Sequence, residues 1–194
     1  MIHPRKLIAA SACILSLAAV SSTLSVSAQS SAMPDGSMQP SPMQGGNQRS
    51  SLNAVDRQFV VKAAQSDMTE IQTSQLALKR SQNPQVRRFA QQMITHHMQS
   101  SNKLKPLAVQ KGIALATSIG AENQAMLTQL IKLSGTKFDQ AYMSGQAKAH
   151  AKTQALYQSE LKKGQDADVK AFANQGLPIV TAHLRMAQNM VAGR

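Results

Sequence analysis

Met93-Ile94-Thr95-His96-His97 lies in the middle of a long amphipathic stretch that runs from Pro84 to Gly112. At 3.6 residues per turn, Val86, Ala90, Met93, His97 and Leu104 fall on one face. His97 therefore stands where a leucine is expected, and a buried imidazole must find a partner or weaken the core it enters. Three other long stretches carry a comparable polar misfit near their middles. The pattern predicts an all-α protein, a helical bundle assembled around one polar layer.

Upstream of this stretch, Asn53 is a good N-cap for a first helix reaching about Gln82. Phe59, Ala63, Ser66, Glu70, Ser74 and Ala77 share its inner face, with Glu70 central. Asn83-Pro84 ends that helix and starts the second, so the two form an antiparallel hairpin. Pro106 falls in the last turns of the second helix. Residues 113–119 read as a loop, and a short helix follows from Ala121 to Leu133. A third long helix covers about Thr136 to Lys163 and stops at Gly164. Phe138, Tyr142, Gln146, Ala149, Thr153, Leu156 and Tyr157 lie on its inner side, with His150 one step along that ridge. Asp166 caps a last helix reaching about Ala192, whose stripe is Val169, Phe172, Ala173, Gly176, Val180, His183, Ala187 and Met190. Pro178 predicts a kink just before His183. Two hairpins joined by a longer connection make a ferritin-like four-helix bundle with a short extra crossover helix. No stretch alternates strongly enough to be a strand.

The residues before the bundle read differently. Arg5 and Lys6 precede an apolar run, Leu7 to Val20, that is too short to span a bilayer, and Val26-Ser27-Ala28 has the form of a cleavage site. Residues 1–28 are therefore expected to be a signal peptide. Ala10-Ser11-Ala12-Cys13 raises a lipoprotein reading, but the apolar run continues past Cys13 and favours simple cleavage. The mature chain then has no thiol, and so no disulfide and no cysteine nucleophile. Residues 29–52 are a Met/Gln/Ser/Pro-rich linker, disordered by composition, before a bundle over 53–192. Met33, Met38 and Met43 recur in that linker. A Cu(I)-collecting tail is one reading of them, and adaptable methionines in a loose segment are the plainer one.

The formal charge is +12, or +10 without Arg5 and Lys6. It favours anionic neighbours at the envelope, although the basic residues are spread over every helix and serve to solvate them. Trp is absent and aromatics make up 3% of the chain, which argues against a specific nucleic-acid platform. No later stretch predicts a transmembrane segment. An exported protein, in the periplasm or associated with the outer membrane, is expected.

Glu70, His97, His150 and His183 come one from each long helix, each roughly 13 to 17 residues from its start. At 1.5 Å per residue this is about 20–25 Å along every axis, so in an antiparallel bundle the four share one level. Three imidazoles and a carboxylate suit Zn, Cu or Fe, bound more weakly as pH falls because the imidazoles must be neutral. Asp67, Tyr142, Gln146, Ser66 and Ser74 are placed to orient the ligands. His96, about 100° round the helix from His97, is expected at the bundle's edge. Glu160 lies about 15 Å along the axis from His150 and belongs to another layer. The plainer reading is a metal-free polar layer that fixes helix register while the basic surface binds anionic envelope components.

Asp67-Met68-Thr69-Glu70, Asn83-Pro84 through Phe89-Ala90, Met93 to His97, Leu133-Ser134-Gly135 with Phe138-Asp139 and Tyr142, Gln146 with His150, and Leu177-Pro178 with His183 together resemble a bacterial exported family. That family is known as domain of unknown function 4142, "predicted outer membrane protein". The resemblance spans about residues 53 to 192. It implies a ferritin-like helical fold and an envelope location, with no established activity, and it matches Glu70, His97, His150 and His183 to the family's inward polar residues. The family usually has Asp-His where this chain has His96-His97, so no role for that Asp carries over. Ile94, Ala147 and Val180 stand three residues before the three core histidines, so the Glu-x-x-His pairs of di-iron bundles are missing. With no nucleophile–base pair, phosphate loop or Cys-x-x-Cys-His site, the chain reads as non-catalytic.

Overall fold

The computed structural model describes residues 52–193. The expected signal peptide with Cys13, and nearly all of the linker with Met33, Met38 and Met43, lie outside the described residues. Five helices follow in order: α1 (Ala54–Arg80), α2 (Pro84–Gln110), α3 (Ala121–Ile131), α4 (Gly135–Lys163) and α5 (Ala167–Val191). Among the described residues there is no strand, and no helix is long and apolar enough to cross a membrane.

Local chemistry sets the helix ends. Asn53 accepts from the Asp56 amide while Asp56 accepts from the Asn53 amide, a reciprocal capping box. Ser81, just ahead of Asn83-Pro84, is extended at φ −84° and ψ 137°, so α1 stops at Arg80 rather than reaching Gln82. Asn83 caps α2 through the amides of Gln85 and Val86, and Pro84 occupies the first turn. At the far end of α2, Gly112 takes φ +64°. There the Ile113 amide bonds to the Ala108 carbonyl and the Gly112 amide to that of Val109, the paired closure of a Schellman motif. Asp166 caps α5 through the amides of Asp168 and Val169. α2 and α5 continue through Pro106 and Pro178. Both prolines face solvent, as do Asn102 and Asn174, the residues whose carbonyls lose their helical donors, so water can satisfy those groups.

The α1–α2 and α4–α5 hairpins make the most extensive contacts, α1 packs on α4, and the α2–α5 seam is the sparsest of the four. α3 crosses beside α1 and α4. This is the expected bundle of two hairpins. Its core is divided into two apolar halves. One holds Phe59, Val60, Leu104, Tyr157 and Val169. The other holds Val86, Phe89, Met93, Phe138, Tyr142 and Ala187. Glu70, His97, His150 and His183 lie between them, all at most 5% exposed.

Candidate metal centre

The three histidines of the polar layer meet. One ring nitrogen each of His97, His150 and His183 lies within 4.8 Å of the other two. Ring centroids are 5.7 Å apart for His97 and His150, 5.6 Å for His97 and His183, and 5.2 Å for His150 and His183. Two nitrogens at about 2.0–2.1 Å from one ion are at most about 4.2 Å apart, so the trio is open enough to admit an ion and close on it.

Outer contacts decide which nitrogens face inward. Nδ1 of His97 is 2.8 Å from Oδ1 of Asp67, and Nδ1 of His150 is 2.9 Å from the Gln146 carbonyl. A carbonyl and a carboxylate only accept, so both rings carry a proton on Nδ1 and turn an Nε2 lone pair inward when neutral. Nε2 of His97, Nε2 of His150 and Nδ1 of His183 are buried and have no hydrogen-bond partner, and the same holds for Oε2 of Glu70. Four unsatisfied groups, one from each long helix, at one level of a small core call for an explanation.

Electrostatics separates the rings. Burial is the largest influence on His97 and lowers its pKa, but the Asp67 hydrogen bond and the charges of Glu70 and Asp67 outweigh it, so the net shift is upward. His150 is lowered, by burial first and by His97, against the pull of Glu70. Burial, then the surrounding His150, His97 and His96, push His183 down to about 3. His150 and His183 are therefore neutral at pH 7, the form that can ligate.

The other expected residues fall around this trio. Asp67 orients His97 and also accepts from Ser101 at 3.3 Å. Gln146 acts on His150 through its backbone carbonyl, while its side-chain amide donates to Thr73 at 3.3 Å. Tyr142 shares a 2.8 Å hydrogen bond with Ser74, and Ser66 shares one of 3.1 Å with Thr153. These hydroxyl pairs flank Glu70 above and below. Glu70 itself is not part of the converging group of three. It lines a cavity of about 330 Å³ on the α1–α3–α4 side, whereas His97 and His183 line one of about 80 Å³ that opens at the α2–α5 seam. Ser66 and Thr153 line both.

His96 is closer to the centre than its helical angle suggested. It is half-buried at the edge, yet its Nδ1 is 2.8 Å from Nε2 of His183. A 100° offset on one helix says nothing of how far α5 leans toward it, so the contact is invisible to periodicity.

A family model described as a domain of unknown function, DUF4142, matches residues 41–190. The chain belongs to the DUF4142 family. Two solved structures share the fold of this DUF4142 protein at low identity. A DUF305 fragment from Deinococcus radiodurans is 16% identical with a TM-score of 0.66, covering 74% of this chain and 99% of its own. CopM in its Cu(II)-bound form is 12% identical with a TM-score of 0.58, covering 71% of this chain and 96% of its own. No curated protein matches the chain closely enough to carry a function to it.

Proposed function

We propose that this DUF4142 protein is an exported, non-catalytic protein of the cell envelope that binds one divalent transition-metal ion in its core. Nε2 of His97, Nε2 of His150 and Nδ1 of His183 are the ligands, and Glu70 supplies negative charge beside them. The observation that carries the reading is the convergence of three buried histidines, one ring nitrogen of each within 4.8 Å of the others, on rings that are each held from outside and each keep one unpartnered nitrogen. Three neutral imidazoles cancel none of a 2+ charge, and the buried carboxylates of Glu70 and Asp67 are placed to offset it. Zn, Cu and Fe all accept imidazole. Copper(II) ranks first, because it binds nitrogen sites most tightly of the series and because CopM, a neighbour in fold, is described with Cu(II).

A metal-free polar layer is the competing account. It explains the Asp67–His97 pair and the hydroxyl pairs, but it leaves the three buried ring nitrogens without partners. The experiment is metal analysis and Cu(II) and Zn(II) titration of protein purified without a His-tag. The expected result is one ion per chain at neutral pH, lost in the His97→Ala/His150→Ala variant with helicity retained. Wild-type protein that arrives metal-free and takes up neither ion contradicts the proposal. Cell fractionation tests the location: a periplasmic chain starting at Gln29 is expected, and an uncleaved cytoplasmic chain removes the export claim.

A further inference from the structure

His96 is the one histidine of the layer outside the converging trio, yet its ring meets that of His183 edge to edge and nearly in one plane, with centroids 5.1 Å apart and planes 12° from parallel. Its Nδ1 and the Nε2 of His183 are 2.8 Å apart, a hydrogen-bond distance. Each neutral ring has one N–H and one lone pair, so a single proton sits in this contact. Its owner decides what His183 turns toward the centre. Were His96 the donor, His183 would carry its own proton on Nδ1. That nitrogen is buried and has no acceptor in hydrogen-bond geometry, so a proton there would be an orphaned buried donor that no bound cation could satisfy, whereas a lone pair there is satisfied by the ion. With His183 as donor through Nε2, Nδ1 faces inward as a lone pair, matching the inward nitrogens of His97 and His150. His96 lines the cavity at the α2–α5 seam and is half-buried, so its remaining N–H can be solvated from that side. The three core rings are then held in the same way: His97 by a carboxylate, His150 by a carbonyl and His183 by a second imidazole.

We infer that His96 is a positioning residue that accepts the Nε2–H of His183, fixes its tautomer and so presents Nδ1 as the third metal ligand. This rests on the metal reading of the trio, and His96 itself does not touch the ion. The contact joins α2 to α5 across their sparse seam.

The test compares wild type, His96→Ala and His96→Asp. Long-range proton–nitrogen correlation spectra of the metal-free proteins report the tautomer of His183, and Zn(II) and Cu(II) titrations report affinity. In wild type His183 is expected in the Nε2–H form. His96→Ala is expected to lose that preference and to bind metal about 10- to 100-fold more weakly. In His96→Asp the new carboxylate can only accept, and it is expected to restore both the tautomer and the affinity. The inference is overturned by an Nδ1–H form of His183 in wild type, by unchanged affinity in His96→Ala, or by His96→Asp binding as poorly as His96→Ala. Wild type that keeps the Nε2–H form on His183 but binds no metal refutes the metal reading, not the role of His96 in setting the tautomer.

Discussion

At the residue scale the centre depends on what stands behind each imidazole. Asp67 is 3% exposed and holds Nδ1 of His97. Its carboxylate is also among the groups that turn the burial-driven fall in the His97 pKa into a net rise. Asp67→Asn removes the charge at almost constant volume. It is expected to lower the His97 pKa in an NMR titration and to weaken metal binding about 10- to 100-fold, and an unmoved pKa would show that Asp67 does not govern His97. The identity of the inward residues was legible in the sequence, because Glu70, His97, His150 and His183 each interrupt an apolar stripe at mid-helix. Which atom of each ring points inward was not legible. It depends on the Gln146 carbonyl, the Asp67 carboxylate and His96, and helical spacing fixes none of these contacts. The same limit explains why Glu70 shares the level of the histidines but faces the other cavity.

At the element scale the helices hold their positions through a few tight contacts. Gly176 lies in the middle of α5, where a Cβ would come within 2.5 Å of the Tyr157 ring. That ring packs against Phe59 with centroids 4.9 Å apart and cannot swing away freely. Gly176→Ala is therefore expected to destabilise by about 1–3 kcal/mol despite its better helix propensity, read as a lower Tm. A rise in Tm would mean that α5 can lift off α4 without loss. At one end of the bundle, Asp56 accepts from the amides of Gln165 and Asp166, and Lys111 pairs with Asp166 and Asp168. Glu160 is buried beside them. Burial first, then Asp56 and Asp166, raise its pKa from 4.5 to about 7, against the opposing effect of Lys170. The folded chain thus holds this proton more tightly than the unfolded chain. The stability it contributes is full below about pH 4.5 and is lost as pH rises through about 7. Glu160→Gln stays neutral, so its Tm relative to wild type is expected to rise between pH 5 and pH 8. A pH-independent difference would mean that Glu160 titrates normally. The helix ends were legible where an Asn, Asp or Gly caps them, as at Asn53, Gly112 and Asp166. The expected ends at Gln82 and Leu133 ran two residues long, because hydrophobic periodicity carries no stop of its own.

At the scale of the whole molecule, two hairpins bring four mid-helix groups to one level between two apolar half-cores. The bundle was legible because short Asn83-Pro84 and Gly164 breaks force antiparallel neighbours. The loose α2–α5 seam and its cavity were not, since they arise from how the hairpins lean on each other. An ion that binds only where α2, α4 and α5 meet binds the folded chain and not the unfolded one. Cu(II) or Zn(II) at about 100 times its Kd is then expected to add about 2.7 kcal/mol to stability, raising Tm reversibly on addition and removal of a chelator. An unchanged Tm in the presence of bound metal would place the ion elsewhere, on a surface that does not join the helices. X-ray absorption at the metal edge of protein loaded with one equivalent of Cu(II) or Zn(II) tests the convergence itself. The account predicts three imidazole nitrogens at about 2.0–2.1 Å, falling to two in His150→Ala; a shell with one imidazole or none, unchanged in that variant, would contradict it.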